Sequence, residues 1–354
     1  MKRYDMRKMR KSLYLVVFLC VFSCKNDEVV LHHIDVSQAT TLASPETLYS
    51  FTDKYAIGVS VRDTVAFVMQ AKSDTSLTAI NIKTKSIIQS FGVSGYGPND
   101  ICDPIFMSSI DYPDVLLQDS RLVNKFHKID FDGNLNRYTV SKFMIYPVTI
   151  LPSAESNISK NFISGRKIGE GEKMFYIYDR NKDSVIIIDY YPPMNLNKEL
   201  DLNHIYAPSV SLNEGKNRII IGMYYFDMFQ VYDLSGNRLK TCCLSDNCIP
   251  KFYKSDNMQT VLRQCEKGLI RSFATRDYCY FLRITRDFSS DDDTNPSTLI
   301  QINWDGELIN AYHITDEVLG HFYIDEQSRK MYIVRHRLVP DIYVNEVYDI
   351  VSYQ

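Results

Sequence analysis

The chain has 354 residues, of which 45% are hydrophobic, and 40 basic residues stand against 43 acidic ones. That content supports a large apolar core and excludes wholesale disorder. Lys and Arg are not clustered in the body of the chain, which argues against nucleic acid as a partner, because binding phosphates takes basic patches. The 25 Tyr and 18 Phe residues favour strands over helices.

The N-terminus reads as an address. Lys2, Arg3, Arg7, Lys8, Arg10 and Lys11 form a basic region, Leu13 to Phe22 is apolar, and Ser23-Cys24 follows, the layout of an export signal. The apolar run is about half the roughly 20 residues needed to span a bilayer. Val21-Phe-Ser-Cys24 resembles the lipobox of bacterial lipoproteins. The resemblance implies cleavage before Cys24, lipidation of its sulfur, and a mature chain that meets the membrane only through that anchor. The expected division is a signal peptide over 1–23, a lipidated tether over 24–28 and one domain over 29–354. The expected location is the cell envelope, as an outer-membrane lipoprotein facing the periplasm or the surface. Without residues 1–23 there remain 34 basic and 42 acidic residues, a formal charge of about −8. Lys25-Asn-Asp-Glu28 fits either a solvated tether or the charged start of surface-exported lipoproteins of Bacteroidota type.

Beyond the tether the chain is a series of short strands. Turn signals lie at Lys83-Thr-Lys85, Asp132-Gly-Asn134, Asn181-Lys-Asp183, Ser235-Gly-Asn237 and Asp305-Gly-Glu307. Each follows an apolar run: Leu77–Ile82, Phe126–Phe131, Met174–Tyr178, Met228–Tyr232 and Leu299–Trp304. A sixth run, Ile342–Tyr348, comes close to the end of the chain. Upstream of these lie Val65–Met69, Val115–Leu117, Phe162–Ser164, Arg218–Gly222, Tyr278–Leu282 and Met331–Val334, each preceded by a further strand and a polar turn. Repeats of this kind predict an all-β array, a six-bladed β-propeller. The sixth unit has no room for a fourth strand, so Val29–Val36 is expected to complete the last blade and close the ring. Residues 247–265 read as a long crossover with one or two helical turns. Ser289–Pro296 reads as a solvated loop, because the adjacent Asp291, Asp292 and Asp293 lack the alternating spacing of a calcium loop.

Six cysteines follow Cys24. In an oxidising compartment Cys242 or Cys243 could pair with Cys248 or Cys265, and buried free thiols are the alternative. The spacing of Cys and His gives no zinc pattern, so neither a metal nor a cofactor is expected.

One unit carries a family resemblance. Phe91-Gly, Gly95-Tyr-Gly-Pro-Asn-Asp100, Pro104, Leu117-Gln-Asp-Ser-Arg121 and Asp130-Phe-Asp-Gly-Asn134 resemble an NHL-type propeller repeat. Within a lipoprotein, the glycine loop is similar to that of TolB-like six-bladed propeller lipoproteins of Bacteroidota. The resemblance implies a fold and no activity. Gly95-x-Gly97-Pro98 is read as a tight inter-blade turn needing positive φ at a glycine, since it lacks a phosphate-binding lysine and Pro98 has no amide hydrogen.

Propeller ligands sit at one mouth of the axial channel, and the position after each second strand gives the candidates Arg121, Arg166, Tyr224, Arg283, Arg335 and His336. Guanidiniums gathered at one mouth could hold a carboxylate, sulfate or uronic acid, or each could pair with an aspartate of a neighbouring blade. No catalytic residue stands out, because no nucleophile elbow or glycosidase carboxylate pair can be singled out. The reading is a binding module for a glycan, a peptide or an envelope protein. The alternative is a lyase or hydrolase acting on an acidic polysaccharide or peptide.

Overall fold

Antiparallel strands with short turns make up the architecture, an all-β, propeller-like arrangement of meanders. A computed structural model describes residues 30–95, 100–119, 125–145, 153–167, 173–192, 200–245, 248, 257–265, 267–285, 297–338 and 346–354. Three short strands come first: Leu31–His33 (β1), Thr40–Thr41 (β2) and Glu46–Phe51 (β3). The meanders then follow in chain order. Tyr55–Arg62 (β4), Val65–Ala71 (β5), Thr75–Asn81 (β6) and Ser86–Val93 (β7) lead into Pro104–Met107 (β8), Leu116–Asp119 (β9), Lys125–Asp132 (β10) and Arg137–Ile145 (β11). Next are Ser153–Ile158 (β12), Phe162–Lys167 (β13), Phe175–Asp179 (β14) and Ser184–Ile188 (β15). Pro208–Asn213 (β16), Arg218–Met223 (β17), Met228–Tyr232 (β18) and Arg238–Cys243 (β19) come after them. Lys267–Ala274 (β20), Tyr278–Thr285 (β21), Ser297–Asn303 (β22) and Leu308–Ile314 (β23) precede Val318–Asp325 (β24), Lys330–Leu338 (β25) and Glu346–Tyr353 (β26).

Burial explains the sequence pattern. The second and third strands of a meander are sandwiched between neighbouring meanders, so β17 and β18 are buried on both faces and read as unbroken apolar runs. Outer strands such as β7 and β15 are largely exposed and read as mixed. Each core cluster accordingly belongs to two meanders. Phe67, Met69 and Leu77 meet Leu117 and Ile129, while Phe229 and Val231 meet Phe281 and Ile300. Leu282 and Leu299 meet Phe322 and Ile333, and Val334 and Ile350 meet Val59 and Val68. The last of these joins the C-terminal meander to the first.

The turns between third and fourth strands share one device. In each, an Asx side chain accepts two backbone amides: Asn81 from Lys83 and Thr84, Asp132 from Asn134 and Leu135, Asp179 from Asn181 and Lys182, Asp233 from Ser235 and Asn237, and Asn303 from Asp305 and Glu307. The left-handed position that follows is filled by Lys85, Asn136, Asp183, Gly236 and Gly306. All five turns lie where the sequence places them.

The N-terminal strand departs from expectation. Of the segment Val29–Val36, the described part, from Val30 on, does not edge the last meander. Instead β1 lies beside β19, and the amide of Ile34 donates to the Cys243 carbonyl at 2.8 Å. It is Glu46–Phe51 that pairs with β26, antiparallel, with Tyr348 opposite Phe51 and Ser352 opposite Glu46. Thr40–Thr41 lies parallel to β23 on the way. The physical reason is reach and burial: β3 buries Leu48 and Phe51 in the cluster around Ile350, whereas Ile34 and Val36 are only partly buried. The last apolar run is displaced too, since the strand is Glu346–Tyr353 and residues 342–345 lie outside the described residues.

Two further expectations meet the structure nearby. Helix Met258–Arg263, capped by the Asn257 side chain, falls within the 247–265 crossover. At the glycine loop the positive φ belongs to Gly92, at 72°, and not to Gly95, while Gly97 and the 289–296 loop lie outside the described residues. Gly95 is instead crowded by the Asp100 carboxylate, which a Cβ there would meet.

Deletion separates the roles of the two N-terminal strands. Removing residues 30–37 should lower the unfolding midpoint by no more than about 5 °C, as expected for a peripheral fifth strand. Removing residues 30–51 should abolish the cooperative transition in a thermal melt followed by circular dichroism.

Candidate functional site

The first strand of each meander faces a common axial space. β4, β8, β20 and β24 line one small cavity of about 20 Å³, and β8, β12, β16, β20 and β24 line a second of about 30 Å³, each large enough for a water. Their walls are polar. Ser108 Oγ donates to Asn157 Oδ1 at 2.8 Å, Asn157 Nδ2 donates to the Val210 carbonyl, and Ser209 and Ser211 meet Ser272 Oγ at 2.7 and 2.9 Å.

Bulges decide which side chains reach the axis. The register of an inner strand breaks between Ala56 and Gly58, between Ala154 and Asn157, between Leu269 and Arg271, and between Leu319 and Tyr323. A bulge re-aims the residues it contains. Here the bulges bring in Glu155, held at φ 51°, Arg271 and His321. Arg271 Nη1 donates to Glu155 Oε1 at 2.9 Å, across 116 residues of sequence. Burial pulls the His321 pKa well below its ordinary value, and the Arg271 charge acts in the same direction, so the imidazole is neutral at pH 7. Two glycines make this approach possible. Gly320 sits at φ 72° where a Cβ would fall on the Ile57 carbonyl, and a Cβ on Gly58 would come within 2.9 Å of His321 Cβ. Gly58 is bridged to His321 in the parallel pairing of β4 with β24, and Gly320 precedes His321.

A wider cavity of about 860 Å³ opens at the end of the axis formed by the turns between first and second strands. Its walls hold the rings of Tyr112, Phe273 and Tyr323, with Phe273 and Tyr323 packed edge to face at 5.3 Å. Four carboxylates, Asp63, Asp114, Asp325 and Glu326, face two guanidiniums, Arg62 and Arg276. Arg62 donates to the Ile129 carbonyl at 3.2 Å and lies 3.8 Å from Asp114. The volume falls in the range of small-molecule sites, and the surplus of carboxylates suits a neutral or cationic ligand better than a polyanion.

Of the residues singled out from sequence, those described lie toward the opposite end, in the later half of second strands or just after them. Arg283 forms a two-pronged pair with buried Asp227 of the preceding meander, both contacts at 2.6 Å. Arg335 donates to Asp349 at 2.7 Å and lies 3.6 Å from Asp316. His336 Nδ1 lies 3.3 Å from Glu317, and its ring packs on Tyr348. Tyr224 packs edge to face against Tyr225 and donates its amide to the Tyr206 carbonyl. Arg166, next to the end of β13, has its Nε buried and unpartnered. Arg121, like Cys24, lies outside the described residues. Aspartate partners therefore already engage Arg283 and Arg335, while Glu155, Arg271 and His321 were not singled out, because inner-strand bulges leave no local sequence signal.

The cysteines fit an oxidising compartment. Cys243 and Cys248 form a disulfide, while Cys102, Cys242 and Cys279 are free and buried and Cys265 is buried. Burial pushes the Cys242 and Cys279 thiols up to about 12, which leaves them unreactive.

No protein-family model and no curated protein matches the chain. Solved structures do match. A member of the DUF4221 family from Bacteroides vulgatus ATCC 8482 is 12% identical, with a TM-score of 0.53, over 89% of this chain and 99% of that one. A Bacteroides fragilis NCTC 9343 protein designated as exported is 11% identical, with a TM-score of 0.48, over 92% and 100%. A calcium-binding regucalcin from Agrobacterium tumefaciens strain C58 is 10% identical, with a TM-score of 0.41, over 92% and 97%. At such identity the likeness to the first speaks for the fold alone. Among the described residues no helix is long and apolar enough to cross a membrane.

Asp349 carries a pH dependence. Burial pushes its pKa up, but hydrogen bonds from Arg337, Ser50 and Arg335 outweigh this and hold it below the ordinary carboxylate value. The unfolded chain, with a carboxyl near the usual 3.9 or so, then takes up the proton first. The contribution of Asp349 is complete above that pH and is lost as pH falls through the lower folded value. Asp349→Asn should therefore lose about 3 kcal/mol at pH 7, where breaking a buried pair is costly. It should also show a shallower loss than the wild type as pH falls below about 4 in urea unfolding.

Proposed function

We propose that this protein is a six-bladed β-propeller of NHL or TolB-like type, exported and tethered to the cell envelope by lipid on Cys24, whose wide axial cavity binds a polar ligand. The order of neighbours supports the blade count: β24 bridges to β4, and the core cluster around Val334 and Val59 packs the C-terminal meander against the first. Pairing of β3 with β26 gives the last unit a fourth strand and supports a reading in which Glu46–Phe51, and not Val29–Val36, closes the ring. Export rests on the sequence of residues 1–24 and on the Cys243–Cys248 disulfide.

The observation that carries the binding reading is the cavity of about 860 Å³, in which three aromatic rings and both signs of charge converge. Its candidate occupants are a glycan, a peptide or a loop of an envelope protein. The arginine-bearing end is a poorer candidate for holding an acidic ligand, because Asp227 and Asp349 already take the forks of Arg283 and Arg335.

Two experiments test this reading. Cys24→Ala should move the protein from the membrane fraction to the soluble fraction, and a protein that stays with the membrane would refute the lipid anchor. Asp63 and Arg276 are exposed turn residues on the cavity rim. Asp63→Ala with Arg276→Ala should weaken binding to immobilised envelope glycans or peptides about tenfold, the scale of one lost charged hydrogen bond, with the melting temperature unchanged.

A further inference from the structure

A second cavity, of about 690 Å³, lies between the β20–β23 meander and the C-terminal one, with Thr40 and Thr41 of β2 on its rim. We propose that this cleft binds a neutral oligosaccharide. Tyr278 and Tyr312 are half-buried in its wall, and their hydroxyls make no hydrogen bond among the described residues. Beside them runs an amide ladder. Gln301 Nε2 donates to the Tyr280 hydroxyl at 3.0 Å, and Asn310 Nδ2 donates to Gln301 Oε1 at 2.8 Å, which leaves Asn310 Oδ1 open. Glu326 Oε1 accepts from both Thr275 Oγ1 and Tyr280 Oη, at 2.8 and 3.0 Å, and leaves Oε2 for a ligand. Open phenols, an amide oxygen and a carboxylate oxygen are what sugar hydroxyls pair with, and tyrosine rings offer the apolar surface that the faces of a pyranose need.

Charge and edges narrow the class. Asp325 and Glu326 are balanced by Arg329 and Lys330 around the cleft, so nothing in it selects an ionised ligand. A peptide bound by main-chain pairing would need an open strand edge, and β2 already takes part of the β23 edge beside the cleft. Length is set by the neighbouring space. Ile324, Asp325 and Glu326 line both this cleft and the axial cavity, so the two adjoin across the turn from β24 to β25. A chain of several sugars could run from one into the other. That continuation rests on the axial reading, whereas the chemistry of the cleft stands without it.

The test is an array of neutral oligosaccharides of roughly two to eight hexose units, followed by titration of the tightest-bound member against purified mature protein. Tyr312→Ala and Asn310→Ala should each weaken binding tenfold or more, and Tyr312→Phe, which keeps the ring and loses the hydroxyl, should weaken it by a smaller factor. Arg276→Ala should affect only the longer members. Absence of binding to every array member, or wild-type affinity in folded Tyr312→Ala and Asn310→Ala proteins, would overturn the proposal. Loss of binding in Arg276→Ala with no effect of Tyr312→Ala would leave the axial reading standing and remove the cleft.

Discussion

Everything in this architecture depends on one strand pairing between distant parts of the chain. Glu46–Phe51 hydrogen-bonds to Glu346–Tyr353, and the junction is pinned by one buried carboxylate. Asp349 Oδ1 accepts from Ser50 Oγ on the N-terminal strand, while Asp349 Oδ2 accepts from Arg335 and Arg337 on β25. Arg335 also reaches Thr47 Oγ1. A charge buried this deeply is stable only while it is fully paired, so three strands are held in one register. The residue that looked from sequence like a ligand anchor thus has a structural task.

The inner strands follow from the packing of the meanders. With neighbouring meanders packed face to face, their first strands crowd around the axis, and an unbroken two-residue alternation would fill the space with side chains. Bulges and small residues relieve this. Gly58 and Gly320 let β4 and β24 touch, while serines and Asn157 knit adjacent strands by hydrogen bonds. Space is left at the end of the axis where the turns of the first hairpins spread apart, and the wide cavity lies there. Its position is a consequence of packing, and its aromatic and carboxylate lining is what gives it a candidate role in binding.

The legible part of the fold was local. Asn81, Asp132, Asp179, Asp233 and Asn303 each organise a turn within a few residues, and doubly buried strands such as β17 announce themselves as apolar runs. The N-terminal strand was misplaced because Val29–Val36 is the more apolar segment, whereas β3 pairs through a bulge opposite Ile350 and Val351 that spoils its alternation. The candidate site was legible only as positions. Arg283 and Arg335 do lie in the later half of second strands, but their partners Asp227 and Asp349 come from other strands and loops and are chosen by packing. Glu155, Arg271 and His321 gather through bulges that no spacing rule signals.

Native-state hydrogen exchange read by mass spectrometry tests the central pairing most directly, because it reports the free energy at which each strand opens. The pairing of β3 with β26 predicts that peptides covering Glu46–Phe51 and Glu346–Tyr353 exchange only with global unfolding, together with β17 and β21. Exchange of those two segments orders of magnitude faster than β17 and β21, under conditions where the rest stays protected, would contradict it.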